Sequence, residues 1–138
     1  TYQVKLERFL VAEDCGKLIN PMIVDGQVHG GVAQGIGAAL YEEVIYNDEG
    51  QNVTASLVDY VVPSASEVPS IDVVHIEAAS KTTLGGFRGM GEGGTIGAPA
   101  AVANAISDAL ASLNIDVFEL PVTPERLFRL IENAKAHS

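Results

Sequence analysis

Tryptophan is absent from this chain of 138 residues, cysteine occurs once, and only eight basic residues stand against eighteen acidic ones. Each shortage excludes something. A lone cysteine, Cys15, permits no internal disulfide, and such usage fits a reducing cytoplasm. The few Lys and Arg are scattered through a chain of net charge −10. That argues against nucleic acid or an anionic membrane as partner, because both require basic patches. No apolar run reaches the roughly 18–20 residues of a membrane span, and no charged-then-apolar leader opens the sequence. His29, His75 and His137 show no ligand spacing, and neither a second cysteine near Cys15 nor a Ser/His/Asp order is present. Neither a protein-ligated metal nor a hydrolytic triad is therefore expected.

The remainder has the balance of an ordinary globular domain, with 47% hydrophobic and 19% charged residues. Tyr2, Val4 and Leu6 alternate with polar neighbours as a half-buried strand does, and the apolar parity shifts at Phe9 and Val11. This strand pattern starts directly at Thr1, as in a piece of something longer. Asn20-Pro21 reads as the N-cap and first position of a helix running to about residue 43. Five glycines (Gly26, Gly30, Gly31, Gly35 and Gly37) lie inside that helix, each costing about 0.8–1 kcal/mol against Ala, so a compensating reason is needed.

Strands are expected at 44–46 and 52–54 around an Asn-Asp-Glu-Gly turn, at 71–77, and at 117–120. Pro99 opens a helix whose apolar residues Val102, Ala105, Ile106, Ala109, Leu110 and Leu113 share a face. Thr123-Pro124-Glu125 starts another, with Leu127, Leu130, Ile131 and Ala134 as its stripe. The expected order is β-α-β-β-α-β plus a C-terminal helix: an α+β domain with the split β-α-β arrangement of ferredoxin-like folds, covering residues 1–138. Fold of that kind does not determine function.

The densest motif runs from Gly85 to Pro99. Gly89, Gly91 and Gly94 match G-x-G-x-x-G formally, but residues 81–87 do not read as the strand that a dinucleotide fingerprint requires. Successive glycines do let main-chain N–H groups approach a large polar ligand. Glu92 is the only ionisable residue between Arg88 and Asp108. Placed just before a helix start, it suits a general base, and it suits equally a carboxylate that stabilises the helix N-terminus. In residues 26–37 small side chains three and four apart make a smooth helix face, for tight packing or for a flat ligand. Gln27 there carries both a donor and an acceptor. Asp14-Cys15-Gly16 closes the first strand, where the thiol is either ligand-facing or a small buried hydrophobe.

Asp14-Cys15-Gly16, Asn20-Pro21, the segment from Gly26 to Gly35 and the segment from Gly89 to Gly97 together resemble, in order and spacing, the molybdopterin-binding subunit of the xanthine dehydrogenase/aldehyde oxidase/carbon monoxide dehydrogenase family. The likeness covers nearly the whole chain but about the last fifth of that subunit. It implies Glu92 as the base beside molybdenum, with Arg88, Gly89, Met90 and Gly91 lining the cofactor. It implies Gln27 near the metal, and Asp14 and Cys15 against the dinucleotide tail. No protein side chain ligates the metal on this resemblance. The implied cofactor is molybdopterin cytosine dinucleotide, with [2Fe–2S] clusters and FAD on other domains or subunits as electron acceptors. Implied partners are the N-terminal part of the molybdenum subunit, the iron–sulfur and FAD subunits, and a small substrate such as an aldehyde or N-heterocycle. The carbon monoxide-oxidising branch and a non-catalytic domain that keeps the fold are the other readings. The chain by itself is expected to be inactive.

Overall fold

The computed structural model describes residues 1–136, so His137, weighed above as a ligand, lies outside the described residues. Strand β1 (Arg8–Glu13) and strand β2 (Ser70–His75) pair in parallel, in register from Arg8 with Ser70 to Glu13 with His75. Parallel neighbours need a crossover, and helix α1 (Pro21–Leu40) lies within the intervening chain. Helices α2 (Gly93–Ile96), α3 (Ala98–Ala109) and α4 (Pro124–Ala136) follow. The expected parity shift is present: Tyr2, Val4 and Leu6 are half-buried, Glu7 and Arg8 are both exposed, and Phe9, Val11 and Glu13 turn inward. Residues 1–7 show the alternation without joining a ladder.

The caps form where the sequence places them. Asn20 Oδ1 accepts from Ile23 N at 3.3 Å, and Thr123 Oγ1 accepts from Arg126 N at 3.3 Å. Val28, Val32 and Ile36 of α1 are fully buried against Ile71, Val102, Ile106, Val122 and Leu127, so the core lies between α1, β2, α3 and α4. The glycines of α1 find part of their compensation there. A Cβ on Gly31 would stand 2.9 Å from Thr95 N and 3.0 Å from Gly94 Cα, and one on Gly35 would overlap Ala98. α2 and the start of α3 thus lie on the α1 backbone itself.

The fold is α+β, but the ferredoxin-like sheet is not formed among the described residues, where the sheet has two strands. The expected strands at 44–46 and 52–54 reduce to one bridge, Tyr46 with Asn52, beside a turn in which Asn47 Oδ1 accepts from Gln51 N at 2.8 Å. Residues 117–120 form no strand because the neighbouring backbone donors are spent elsewhere. Val117 N donates to Ser107 Oγ at 2.9 Å, and Val122 N donates to Ala39 O at 2.7 Å. α3 ends four residues before Leu113, with Asn114 in the left-handed region after a short 3-10 turn. Its buried face is the single row Ala98, Val102, Ile106, while Ala105, Ala109 and Leu113 stay exposed, because α1 presents a narrow ridge rather than a broad surface. Leu10, Val74 and Ile76 on the outer sheet surface are exposed, leaving one side of a parallel sheet uncovered.

Close backbone packing and open space predict opposite effects of the same substitution. Gly31→Ala and Gly94→Ala should each lower stability by about 1–3 kcal/mol. Gly30→Ala, whose Cβ meets nothing within 4 Å, should raise it by up to about 1 kcal/mol. Urea-denaturation midpoints of the three variants test this ordering.

Candidate functional site

Three stretches of chain converge at the C-terminal ends of β1 and β2. Asp14 joins them. Its Oδ1 accepts from Gly16 N at 2.9 Å and from Ala78 N at 3.1 Å, and its Oδ2 lies 3.5 Å from Arg88 Nε. Arg88 Nε also donates to Ala78 O at 2.8 Å. Cys15 is buried, and its carbonyl accepts from Arg88 N at 2.8 Å. Gly16 adopts φ +68° and bridges Phe87; a Cβ there would overlap Gly86 O, so this turn requires glycine on both conformational and steric grounds. Asp14, Cys15 and Arg88 therefore form one knot that fixes where the glycine-rich loop leaves the sheet.

Farther along that loop Met90 is half-buried against the core, and Gly91 meets α1. Gln27 Nε2 donates to Gly91 O at 2.6 Å. Glu92 is the N-cap residue of α2, yet its side chain makes no capping hydrogen bond. Its carbonyl accepts from Thr95 N at 2.9 Å and Ile96 N at 3.2 Å. The carboxylate is exposed and has no partner among the described residues. Its charge still stands at the N-terminus of α2, where the helix dipole favours a carboxylate without a capping hydrogen bond.

The glycines near Glu92 divide into two kinds. Gly31, Gly35 and Gly94 have neighbours that a Cβ would strike, including Val28 O at 2.6 Å from one on Gly94. Gly26, Gly30, Gly89 and Gly91 have nothing within 4 Å of an added Cβ. Packing within the described chain does not require these four to lack side chains. Together with the polar edge of Gln27 and the unpartnered carboxylate, they leave room for a flat polar group to lie close to main chain.

The structure brings Gln27, Met90, Gly91 and Glu92 to one place and Asp14, Cys15 and Arg88 to the adjoining one, with Gly89 between. Sequence reasoning missed a second carboxylate. Glu13 lies against Gly93, where an added Cβ would stand 2.7 Å from its Cδ. The signal was present: after the parity shift Phe9, Val11 and Glu13 share the inward face. It also missed the contact of His75 Nε2 with Asp25 Oδ1 at 2.7 Å; His75 Nδ1 is buried without a partner. Cavities of about 490 and 400 Å³ lie elsewhere, the first against Leu40, Tyr41 and Pro63 and the second against Val117 and Arg126. Glu92 lines neither and is exposed. Among the described residues no three His, Cys, Asp or Glu side chains gather as a metal site, and no helix is long and apolar enough to cross a membrane.

Comparison with known proteins gives a consistent result. The molybdopterin cofactor-binding domain family matches residues 1–69, which include Asp14, Cys15 and Gln27 but not Glu92. The nicotine 6-hydroxylase large subunit of Paenarthrobacter nicotinovorans is 48% identical over 91% of this chain and 15% of its own length. The carbon monoxide dehydrogenase large chain of Afipia carboxidovorans is 35% identical over 96% of this chain and 16% of its own. The crystal structure of quinoline 2-oxidoreductase from Pseudomonas putida 86 superimposes with TM-score 0.93 at 52% identity, over 96% of this chain and 17% of that one. The chain thus spans about one-sixth of the length of the relatives it matches.

The geometry separates residues that hold the loop from the residue it displays. Asp14→Ala, which removes the acceptor of two backbone N–H groups, should destabilise the chain by about 2 kcal/mol. Glu92→Gln should alter stability by less than about 0.5 kcal/mol. Thermal unfolding of both variants beside the parent provides the check; equal losses would mean that Glu92 has a structural partner.

Proposed function

Because the chain belongs to the molybdopterin cofactor-binding domain family, as a segment of the molybdenum-binding large subunit of oxidoreductases, we propose that it is the C-terminal, base-carrying part of a molybdenum hydroxylase. Glu92 is the base on this reading. The observation that carries it is the carboxylate itself: backbone fixed on both sides, side chain uncommitted, open glycines beside it. The substrate class is an N-heterocycle or aldehyde, and the N-heterocycle is favoured by the 48% and 52% identities to a nicotine and a quinoline enzyme. The carbon monoxide-oxidising branch is the less favoured alternative, at 35% identity. A non-catalytic domain that keeps the fold is the other alternative, disfavoured because Glu92 is intact.

The residues present fit the molybdenum cofactor. Gly26 and Gly30 on α1 and the main chain at Gly89 and Gly91 would lie along it, with Gln27 and Met90 beside them. Arg88 commits Nε to Ala78 and Asp14 and leaves its Nη groups for an anionic portion, next to Asp14 and Cys15. Molybdopterin cytosine dinucleotide is the form proposed. When bound, it supplies two-electron oxidation with oxygen derived from water. Glu92 would take up the proton released as the oxygen nucleophile forms. Gln27 and the loop backbone hold position throughout.

On this reading [2Fe–2S] clusters and FAD on iron–sulfur and flavin subunits would be the electron acceptors. The N-terminal part of the molybdenum subunit is the immediate partner, and the uncovered sheet surface with Leu10, Val74 and Ile76 supports such a covering layer. We place the assembly in the cytoplasm, with neither nucleic acid nor membrane as partner, and the isolated chain as inactive.

Glu92→Gln in the assembled enzyme should lower turnover of quinoline or nicotine by at least about a hundredfold while molybdenum content stays unchanged. Steady-state kinetics and metal analysis test this together. Unchanged turnover removes Glu92 from the reaction, and lost metal reassigns it to cofactor binding.

A further inference from the structure

Three residues of α1 four apart, Gln27, Gly31 and Gly35, meet the loop and the following helices in step. Gln27 bonds Gly91, Gly31 accepts from Thr95 Oγ1 at 3.0 Å, and Gly35 lies against Ala98 and Pro99. Both hydrogen bonds span 64 residues. At Gly31 and Gly35 the contact needs no side chain, because the two segments touch. At position 27 the segments have separated, and a long side chain with a terminal donor crosses the gap.

That crossing controls the peptide just before Glu92. A peptide group is planar, so fixing the Gly91 carbonyl also fixes the direction of the Glu92 N–H. The peptide after Glu92 is held by Thr95 N and Ile96 N, and Thr95 is itself anchored on Gly31. Both planes that meet at the Glu92 Cα are therefore tied to α1. Residues 91 and 93 are glycines, so without the Gln27 bond the preceding peptide has wide freedom to turn. The Glu92 carboxylate has no partner of its own to correct such a turn. We infer that Gln27 is a positioning residue for Glu92, acting through the Gly91 carbonyl, in addition to any contact it makes with a bound group. This rests on the reading of Glu92 as the base.

The test uses the assembled enzyme, with quinoline as substrate, and two variants. Gln27→Met keeps the bulk and removes the donor; Gln27→Glu keeps the shape and sets an acceptor against the carbonyl. Both should lower kcat about ten- to a hundredfold with KM and molybdenum content unchanged. Hydrogen exchange read by mass spectrometry should speed up in residues 89–95. In the Glu92→Gln background the same substitutions should produce no further loss. Unchanged exchange at 89–95, or a full additional loss in that background, overturns the inference, since Gln27 then acts independently of Glu92. Full turnover by Glu92→Gln alone removes the base reading and the catalytic purpose of the Gln27 bond with it, even where exchange still responds.

Discussion

The structure depends on the contact between the backbone of α1 and the segment from Gly91 to Pro99. Gly31 and Gly94 allow main chain to lie on main chain, at distances where a single Cβ on either would stand 2.6–2.9 Å from its nearest neighbour. Because backbone meets backbone at Gly31 and Gly94, the contact transmits position there with little play. It sets the height of α2, the start of α3 and the loop that precedes them. It also explains why a helix with five glycines survives. The propensity loss is offset by burial of Val28, Val32 and Ile36, for which the close approach is a precondition.

Much of this was legible. Asn20-Pro21 and Thr123-Pro124 announced their helices because capping is local chemistry, decided within four residues. The inward parity of β1 was legible because alternation is enforced by the pleat. The strands at 44–46, 52–54 and 117–120 were misjudged for a non-local reason. Strand residues read the same whether or not a ladder partner exists, and Ser107 and Ala39 take the backbone donors at 117 and 122 instead. The breadth of the α3 face was overestimated similarly, since apolar periodicity does not report how narrow a ridge the facing helix offers.

The site was partly legible. The family resemblance implied that Asp14, Cys15, Gln27 and residues 88–92 serve one cofactor, and the residues taken singly left bland alternatives open. Neither revealed that Asp14 and Arg88 are engaged with each other and with Ala78, or that the Gln27 amide donates to Gly91. Asp14 with Ala78 and Gln27 with Gly91 each span 64 residues, and no local pattern encodes such contacts. Glu13 escaped notice because an inward carboxylate on a strand contradicts the apolar rule used to find the strand.

A carboxylate can be positioned through its own oxygens or through its backbone, and the two are not equivalent for a base. An ion pair or hydrogen bond to the oxygens stabilises the charged form and has to be weakened whenever a proton is taken up. Holding the peptide planes on either side leaves the oxygens free and still confines the Cα. Glu92 is held the second way. Such an arrangement works only if water is excluded by something else, because an exposed carboxylate on open surface is no better placed than one in solution. The cavities lined by Leu40 and Tyr41 and by Val117 and Arg126 do not include it. On the proposed reading of Glu92 as a base, the walls would come from the rest of the subunit, while the backbone direction at Glu92 is set within this segment.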